Sequence, residues 1–341
     1  MFRDITKSLI INGLKLLNFQ SLRIIHSNHP LLPFYHTVSD LFLPHITSLY
    51  SYKKINEFEQ DLIFFQKYYT SISLKSIVKC KNIGKKIPKN TFHITFDDGF
   101  KEIYEIIAPI LMDRGIHATF FINTDFIDNK KIFYRHKASI LIDALYNKGG
   151  NKTKAKKILK EENVYCNNIR ISILSIKHSN EKILDDIADS SGLSFSNYLV
   201  EHKPYLTSSQ VKELISSGFT IGSHSKSHIP FQELDLELQL NQVTDSFKIL
   251  SEKFSISYKA FAIPFDDIGI GKEFFHKLYN EAKVDIYFGT AGMKKDDIKD
   301  NFQRFHLENR FVGRNIENVI KEKYLNIIFD KARNRDTIIR K

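Results

Sequence analysis

Thr91-Phe92-His93-Ile94-Thr95-Phe96-Asp97-Asp98-Gly99 is a short apolar run that ends in two carboxylates and a glycine. Aromatic and β-branched residues dominate it, so it reads as a buried strand. Residues 101–114 follow with helical spacing and stop at Gly115, the usual residue just past a helix end. His117-Ala118-Thr119-Phe120-Phe121-Ile122 is a second apolar strand. A strand, a helix and a strand at this spacing imply parallel strands joined by a helical crossover.

The same alternation extends outward in both directions. Upstream, residues 31–38 form a short apolar run containing Tyr35-His36, a first buried strand; residues 55–69 have helical period, and residues 71–78 contain a short extended stretch. Downstream, residues 128–203 hold several helical patterns, including the charged run 152–162, and no clear strand. They are expected to form a helical insertion or lid, since function-bearing additions sit on connecting segments. The alternation resumes with a helix whose N-cap is Thr207, with Gln210 three residues on, Leu206 and Val211 as flanking staple, and Gly218 at its end. A strand at 219–222, helices at 235–254 and 272–282, strands at 258–263, 285–288 and 303–307, and a helix at 316–332 complete the series.

The second polar cluster, His224-Ser225-Lys226-Ser227-His228, directly follows the strand at 219–222. In parallel α/β folds the reacting groups gather at the C-terminal ends of strands. Asp97 and Asp98, the two histidines and Pro264-Phe265 all fall there, on three separate strands. Zinc takes imidazole nitrogen and carboxylate oxygen, and a catalytic site uses three protein ligands with one open position. Asp98, His224 and His228 supply three ligands and leave Asp97 as a spare base. The chain therefore reads as a metal-assisted hydrolase. Taken alone, Asp-Asp-Gly is a common turn, and two histidines four apart can be ordinary surface residues. His93 and His117, within strands, are expected to be packing residues; His36 is expected to be a satisfied core residue, or else to line the site.

The bulk properties bound the alternatives. With 341 residues the chain can bury a large core. Formal net charge is +11, yet no basic stretch matches a nucleic-acid module, so a lysine-rich solvated surface is expected rather than nucleic-acid binding. Cys80 and Cys166 lie in unrelated segments, against a disulfide framework or a cysteine metal site. Residues 1–30 are set apart as an N-terminal segment in which residues 4–24 fit an amphipathic helix. It packs on the domain or lies peripherally on an anionic membrane surface. With no small-residue cleavage site and no long apolar run, a cytoplasmic protein is expected.

These motifs resemble the polysaccharide deacetylases of nodulation-protein-B homology, carbohydrate esterase family 4, from about residue 31 to 307 without the insertion. The resemblance rests on Thr-Phe-Asp-Asp-Gly at 95–99 with His-Ala-Thr-Phe-Phe-Ile after one helix, His-Ser-x-x-His at 224–228, and Phe-x-x-Pro-Phe at 261–265. It implies a distorted seven-stranded (β/α) barrel over residues 31–341, Asp97 as general base, and Asp98, His224 and His228 holding a divalent metal, most often zinc. It also implies an oxyanion site at Pro264-Phe265, through the Phe265 N–H. Where many members carry arginine this chain has Ala262, Asp266 replaces a common glycine, and there is no tryptophan. The nearest replacements are Arg304, for the missing arginine, and His306, as the general acid.

The expected activity is removal of an N-acetyl group from an amino sugar of a glycan or of a lipid- or nucleotide-linked precursor. Deformylation of a lipid-linked amino sugar would use the same site. A catalytically inactive metal- and glycan-binding protein is the alternative that Ala262 favours and the intact Asp97 opposes.

Overall fold

The computed structural model describes residues 18–25, 29–256 and 258–341. Its centre is a parallel sheet of eight short segments: β1 (Pro33–Tyr35), β2 (Ile94–Phe96), β3 (Ala118–Ile122), β4 (Thr220–Ser223), β5 (Ala260–Ala262), β6 (Ile286–Gly289), β7 (Asn301–Gln303) and β8 (Phe305–His306). Their order across the sheet is β7-β6-β5-β4-β3-β2-β1-β8.

The two outermost segments are halves of one stretch of chain. β7 pairs with β6, with Phe302 opposite Phe288, and β8 pairs with β1, with Phe305 opposite Pro33. Arg304 alone separates them; its N–H bonds to Gly289 O at 3.0 Å, and the next N–H, of Phe305, bonds to Leu32 O at 3.1 Å. One stretch thus closes the sheet into a barrel of seven strands, giving each neighbour only half its length. That is the distortion of this (β/α)7 barrel.

Side chains from alternate positions fill the interior. Leu32, Phe121, Ala260, Ala262, Ile286 and Phe288 form one buried cluster with Leu74, Ile77 and Val78. The last three lie on a helix, Leu74–Asn82, capped by Ser73, where only an extended stretch is expected from sequence. It stoppers the N-terminal end of the strands. Its apolar residues at 74, 77 and 78 follow helical spacing, but over nine residues that signal is short. Gly222 is required in the same interior: a Cβ there would sit 2.5 Å from the Phe121 ring.

Outside, helices Ile55–Tyr68, Ser208–Ser216, Leu236–Phe254, Lys272–Ala282 and Ile316–Ala332 cover the sheet over the largest core. The Thr207–Gln210 capping box forms in both directions. The helix expected at 101–114 begins with a π-helical turn at Ile103–Ile107 before Ala108–Asp113. Of the expected helix at 4–24, residues 4–17 lie outside the described residues; Phe19–Ile25 is helical, with Phe19 buried against Phe64, Tyr68 and Tyr324. Among the described residues no helix is long and apolar enough to cross a membrane.

Between β3 and the helix Ser208–Ser216 lie five α-helices: Tyr134–Asn147, Lys152–Glu161, Ile169–Ser175, Lys182–Ser190 and Phe195–His202. They form a core of their own that also takes in Leu43, Ile46, Phe100 and Phe126 from barrel loops. Tyr205 fastens this unit down, its hydroxyl accepting from the Phe133 N–H at 3.1 Å and lying 2.6 Å from His136 Nδ1. The insertion is therefore held against the C-terminal end of the barrel.

Candidate active site

β2 ends at Phe96, and the chain turns so sharply that Asp98 and Gly99 both have positive φ, +71° and +72°. Ser225, His228 and Phe265, on the loops after β4 and β5, also have positive φ. Left-handed backbone costs a non-glycine residue free energy, and such positions cluster where a site dictates conformation. Gly99 is fixed by space as well, because a Cβ there would lie 3.0 Å from Ile122 Cγ2.

The turns bring Asp98, His224 and His228 together, all buried, with one ligand atom from each within 4.8 Å of the others. Asp98 Oδ1 lies 3.0 Å from His228 Nε2 and 3.5 Å from His224 Nε2. That oxygen nevertheless forms no aligned hydrogen bond, so both nitrogens and the carboxylate converge on one point instead of pairing. The orientation of His224 is fixed from behind, Nδ1 facing Ala262 O at 2.9 Å, which leaves Nε2 toward the point of convergence. Burial pushes the His224 pKa down to about 4, keeping the ring neutral. Asp98 is held ionised: burial opposes its charge, but His228, His36 and His224 outweigh it. Two imidazoles and one carboxylate are a fitting donor set for a divalent cation such as zinc.

Asp97 stands beside this triad with Oδ2 3.9 Å from His224 Nε2. Arg304 grips it with both arms, Nη1 to Oδ1 at 2.7 Å and Nη2 to Oδ2 at 2.9 Å, and also bonds Thr95 Oγ1 at 2.9 Å. Burial would raise the Asp97 pKa, but Arg304 and then His224 pull it below the ordinary carboxylate value. The guanidinium is fully buried, 4.6 Å from the Phe34 ring centre. Ala262 leaves room on β5, and the arginine arrives from the barrel-closing stretch instead.

His36, just past β1, is a residue for which sequence favoured a core role. The structure places it at the site. Its Nδ1 is 2.6 Å from Glu308 Oε2, and Glu308 also accepts from the backbone N–H groups of His36 and Thr37. Burial alone would lower the His36 pKa; Glu308, with smaller help from Asp98 and Asp97, raises it to about 9. The ring is thus an imidazolium near neutral pH, within electrostatic reach of the two aspartates. Tyr50 lies alongside, its ring 4.9 Å from that of His36, and its buried hydroxyl has no hydrogen-bond partner among the described residues.

His306, expected as the acid, lies on β8 opposite Phe34, its ring 6.1 Å from Phe34 and 5.3 Å from Phe311. Phe265 packs its ring 4.7 Å from His228, and Phe133 of the insertion lies 4.5 Å from the same ring. His93 is a packing residue, bridging Ile72 O and Thr119 Oγ1. Glu308, Tyr50 and Phe133 carry no sequence signal. For His36 the adjacent Tyr35 was the one available hint.

The sequence matches the polysaccharide deacetylase family over residues 84–270, more than half of the chain. The protein belongs to that family. Its members are hydrolases acting on the amide bonds of N-acetyl amino sugars. No curated protein matches the sequence. Among solved structures, the Streptococcus pyogenes deacetylase PplD in complex with acetate is 13% identical, with TM-score 0.54 over 84% of this chain and 96% of that one. A de-N-acetylase from Aggregatibacter actinomycetemcomitans is 15% identical, with TM-score 0.54 over 86% and 98%. IcaB from Ammonifex degensii is 13% identical, with TM-score 0.53 over 88% and 98%. At these identities the likeness is one of fold, the (β/α) barrel of the deacetylases.

Proposed function

We propose that this deacetylase-family protein is a metal-dependent N-deacetylase of an amino sugar within a glycan or glycan precursor, with Asp98, His224 and His228 as ligands of a divalent cation, most simply zinc. The observation that carries the reading is the buried triad of Asp98, His224 and His228 with Asp97 beside it, gripped by both arms of Arg304; His36, held by Glu308, supplies a second titratable group whose pKa is pushed the other way. A base and an acid whose environments push their pKa values apart are the mark of acid–base hydrolysis.

When bound, the cation would polarise water and the acyl oxygen, making hydroxide available near neutral pH. Asp97 takes the proton of the attacking water, and Arg304 fixes the carboxylate so that one oxygen faces it. As the acyl carbon becomes tetrahedral, its oxygen gains negative charge, and the Phe265 N–H is the backbone donor proposed to meet it; one such donor is worth about 3–4 kcal/mol. His36 then gives its proton to the departing nitrogen, so the C–N bond breaks to release a neutral amine and a carboxylic acid, which ionises in water; Asp97 gives its proton up and His36 regains one to reset the site. His36 replaces His306 in this role, because the charge that an acid needs is built there by Glu308.

The decisive experiment is acetate and formate release from a panel of acylated amino sugars, free, oligomeric and lipid-linked. Wild type should release one of the two acids, and Asp97→Asn and His36→Gln should each lose at least ~100-fold in kcat. Absence of turnover by the zinc-loaded wild type on the whole panel would leave a metal- and glycan-binding protein instead.

A further inference from the structure

A second cavity, of about 260 Å³, opens where the chain enters β1 and where it enters β7, and it shares no residue with the candidate active site. Leu31 and Leu32, just before β1, and Phe302 and Phe305, of the barrel-closing stretch, give it an apolar wall, with Met293 beside them. The volume lies just below the range for drug-sized ligands, about 300–1,000 Å³, so it calls for a small occupant.

The charge of the lining is one-sided. Lys294, Lys295 and Lys299 border the cavity, and among the described residues Asp296 is the only carboxylate there. That carboxylate is already satisfied. Arg340 meets it through Nε at 2.9 Å and Nη2 at 2.6 Å, and the side-chain amides of Asn301 and Gln303 donate to it at 3.0 and 2.9 Å. Lys294 lies 3.5 Å from Asp330, which is outside the lining. Lys295 and Lys299 are exposed and pair with no carboxylate among the described residues. Burial, and then the charge of Lys295, lowers the pKa of His29 in the same lining, which puts that ammonium within electrostatic reach of the cavity wall.

Two uncompensated ammonium groups, with a third only loosely paired, select a dianion over a neutral ligand. Lysine acts on phosphate as a mobile point charge. Bare phosphate would leave the apolar wall unused, whereas a phosphate ester of a hydrocarbon uses both halves. We propose that this cavity binds a phosphate monoester of an apolar alcohol, its phosphate at Lys295 and Lys299 and its hydrocarbon on the wall of Leu31, Phe302 and Phe305. A soluble phosphoester and a phosphomonoester lipid headgroup share that chemistry. The site stands whether or not the triad hydrolyses an amide.

Calorimetry on the full chain compares geranyl phosphate with geraniol and with inorganic phosphate. A second arm follows co-sedimentation with phosphatidylcholine vesicles, with and without phosphatidic acid. Lys295→Gln with Lys299→Gln removes two exposed charges without entering a core. Lys154→Gln with Lys157→Gln removes two exposed charges from a helix of the insertion and is the control. Geranyl phosphate should bind wild type ~10-fold more tightly than geraniol or inorganic phosphate, lose ~10-fold in the first pair and stay unchanged in the control. Capture by phosphatidic acid vesicles alone, lost in the first pair and kept in the control, would bear out the site with a lipid headgroup as its source. Failure of both probes, or geraniol or inorganic phosphate binding as tightly as the ester, overturns the proposal. So does equal loss in the two pairs, the mark of general attraction to a chain of net charge +11.

Discussion

Arg304 reaches Asp97 from the residue at which the last strand leaves β6 and joins β1, making bonds of 2.7 and 2.9 Å. The residue that orients the proposed base is therefore also the residue at which the barrel closes. Removing one partner leaves a charge in a buried site, which typically costs about 3–5 kcal/mol. Arg304→Ala should lower the melting temperature sharply as well as the rate. Arg304→Lys keeps the charge but loses the planar fork, so it should restore much of the stability and little of kcat. Recovery of both together in the lysine variant would show that charge alone, without orientation, is what Asp97 needs.

The His36–Glu308 pair sets a pH limit with a definite sign. His36 has its folded pKa raised from 6.5 to about 9. As an acid it works when protonated, so kcat should fall as pH rises through about 9. Its contribution to stability is complete below pH 6.5 and is lost as pH rises through about 9. Without the Glu308 carboxylate, burial, which opposes the charge, gains on the remaining attraction of Asp98 and Asp97. Glu308→Gln should therefore move the alkaline limb of the rate profile to lower pH, measurable in a kcat titration from pH 6 to 10. An alkaline limb that does not move would assign the acid role elsewhere.

The alternation of strands and helices was legible because each strand is a dense aromatic or β-branched run and each helix has a clear stop, as at Gly115 and Gly218. The triad was legible because its members come in two tight clusters. His36 was not, because its partner Glu308 is 272 residues away and nothing local distinguishes a charged histidine from a packed one. Helix Leu74–Asn82 was missed for a different reason. Three apolar residues in nine satisfy several patterns, and only the open end of the barrel decides among them. Arg304 could be suggested as a substitute for the arginine absent at Ala262, but its route depends on where the barrel closes, which no local sequence states.

Metal binding separates ligands from base. Asp98→Ala and His228→Ala should abolish stoichiometric zinc uptake, followed by equilibrium dialysis and elemental analysis. Asp97→Asn should keep it, because its carboxylate is already engaged by both arms of Arg304. A chelator should remove activity from the wild type, and added zinc should return it. Equal zinc loss in Asp97→Asn and His228→Ala would make Asp97 a ligand and leave the water without its base.

Arg340 ties a distant segment to the loop that carries Phe265. Its Nη1 donates to the carbonyls of Asp267 and Ile270 at 2.9 and 3.0 Å, while Nη2 meets Asp267 and also Asp296 at 2.6 Å. Asp267 in turn accepts from Gln303 Nε2 at 2.7 Å, one residue before Arg304. The loop after β5 is thus braced against the barrel-closing stretch by a buried charge network. Arg340→Ala would strand two carboxylates that are almost fully buried, so unfolding free energy should fall by about 3–5 kcal/mol. If the brace also sets the Phe265 N–H, kcat should fall at temperatures where the variant is still folded, with KM little changed. A variant that melts earlier but keeps full kcat at low temperature would confine Arg340 to stability.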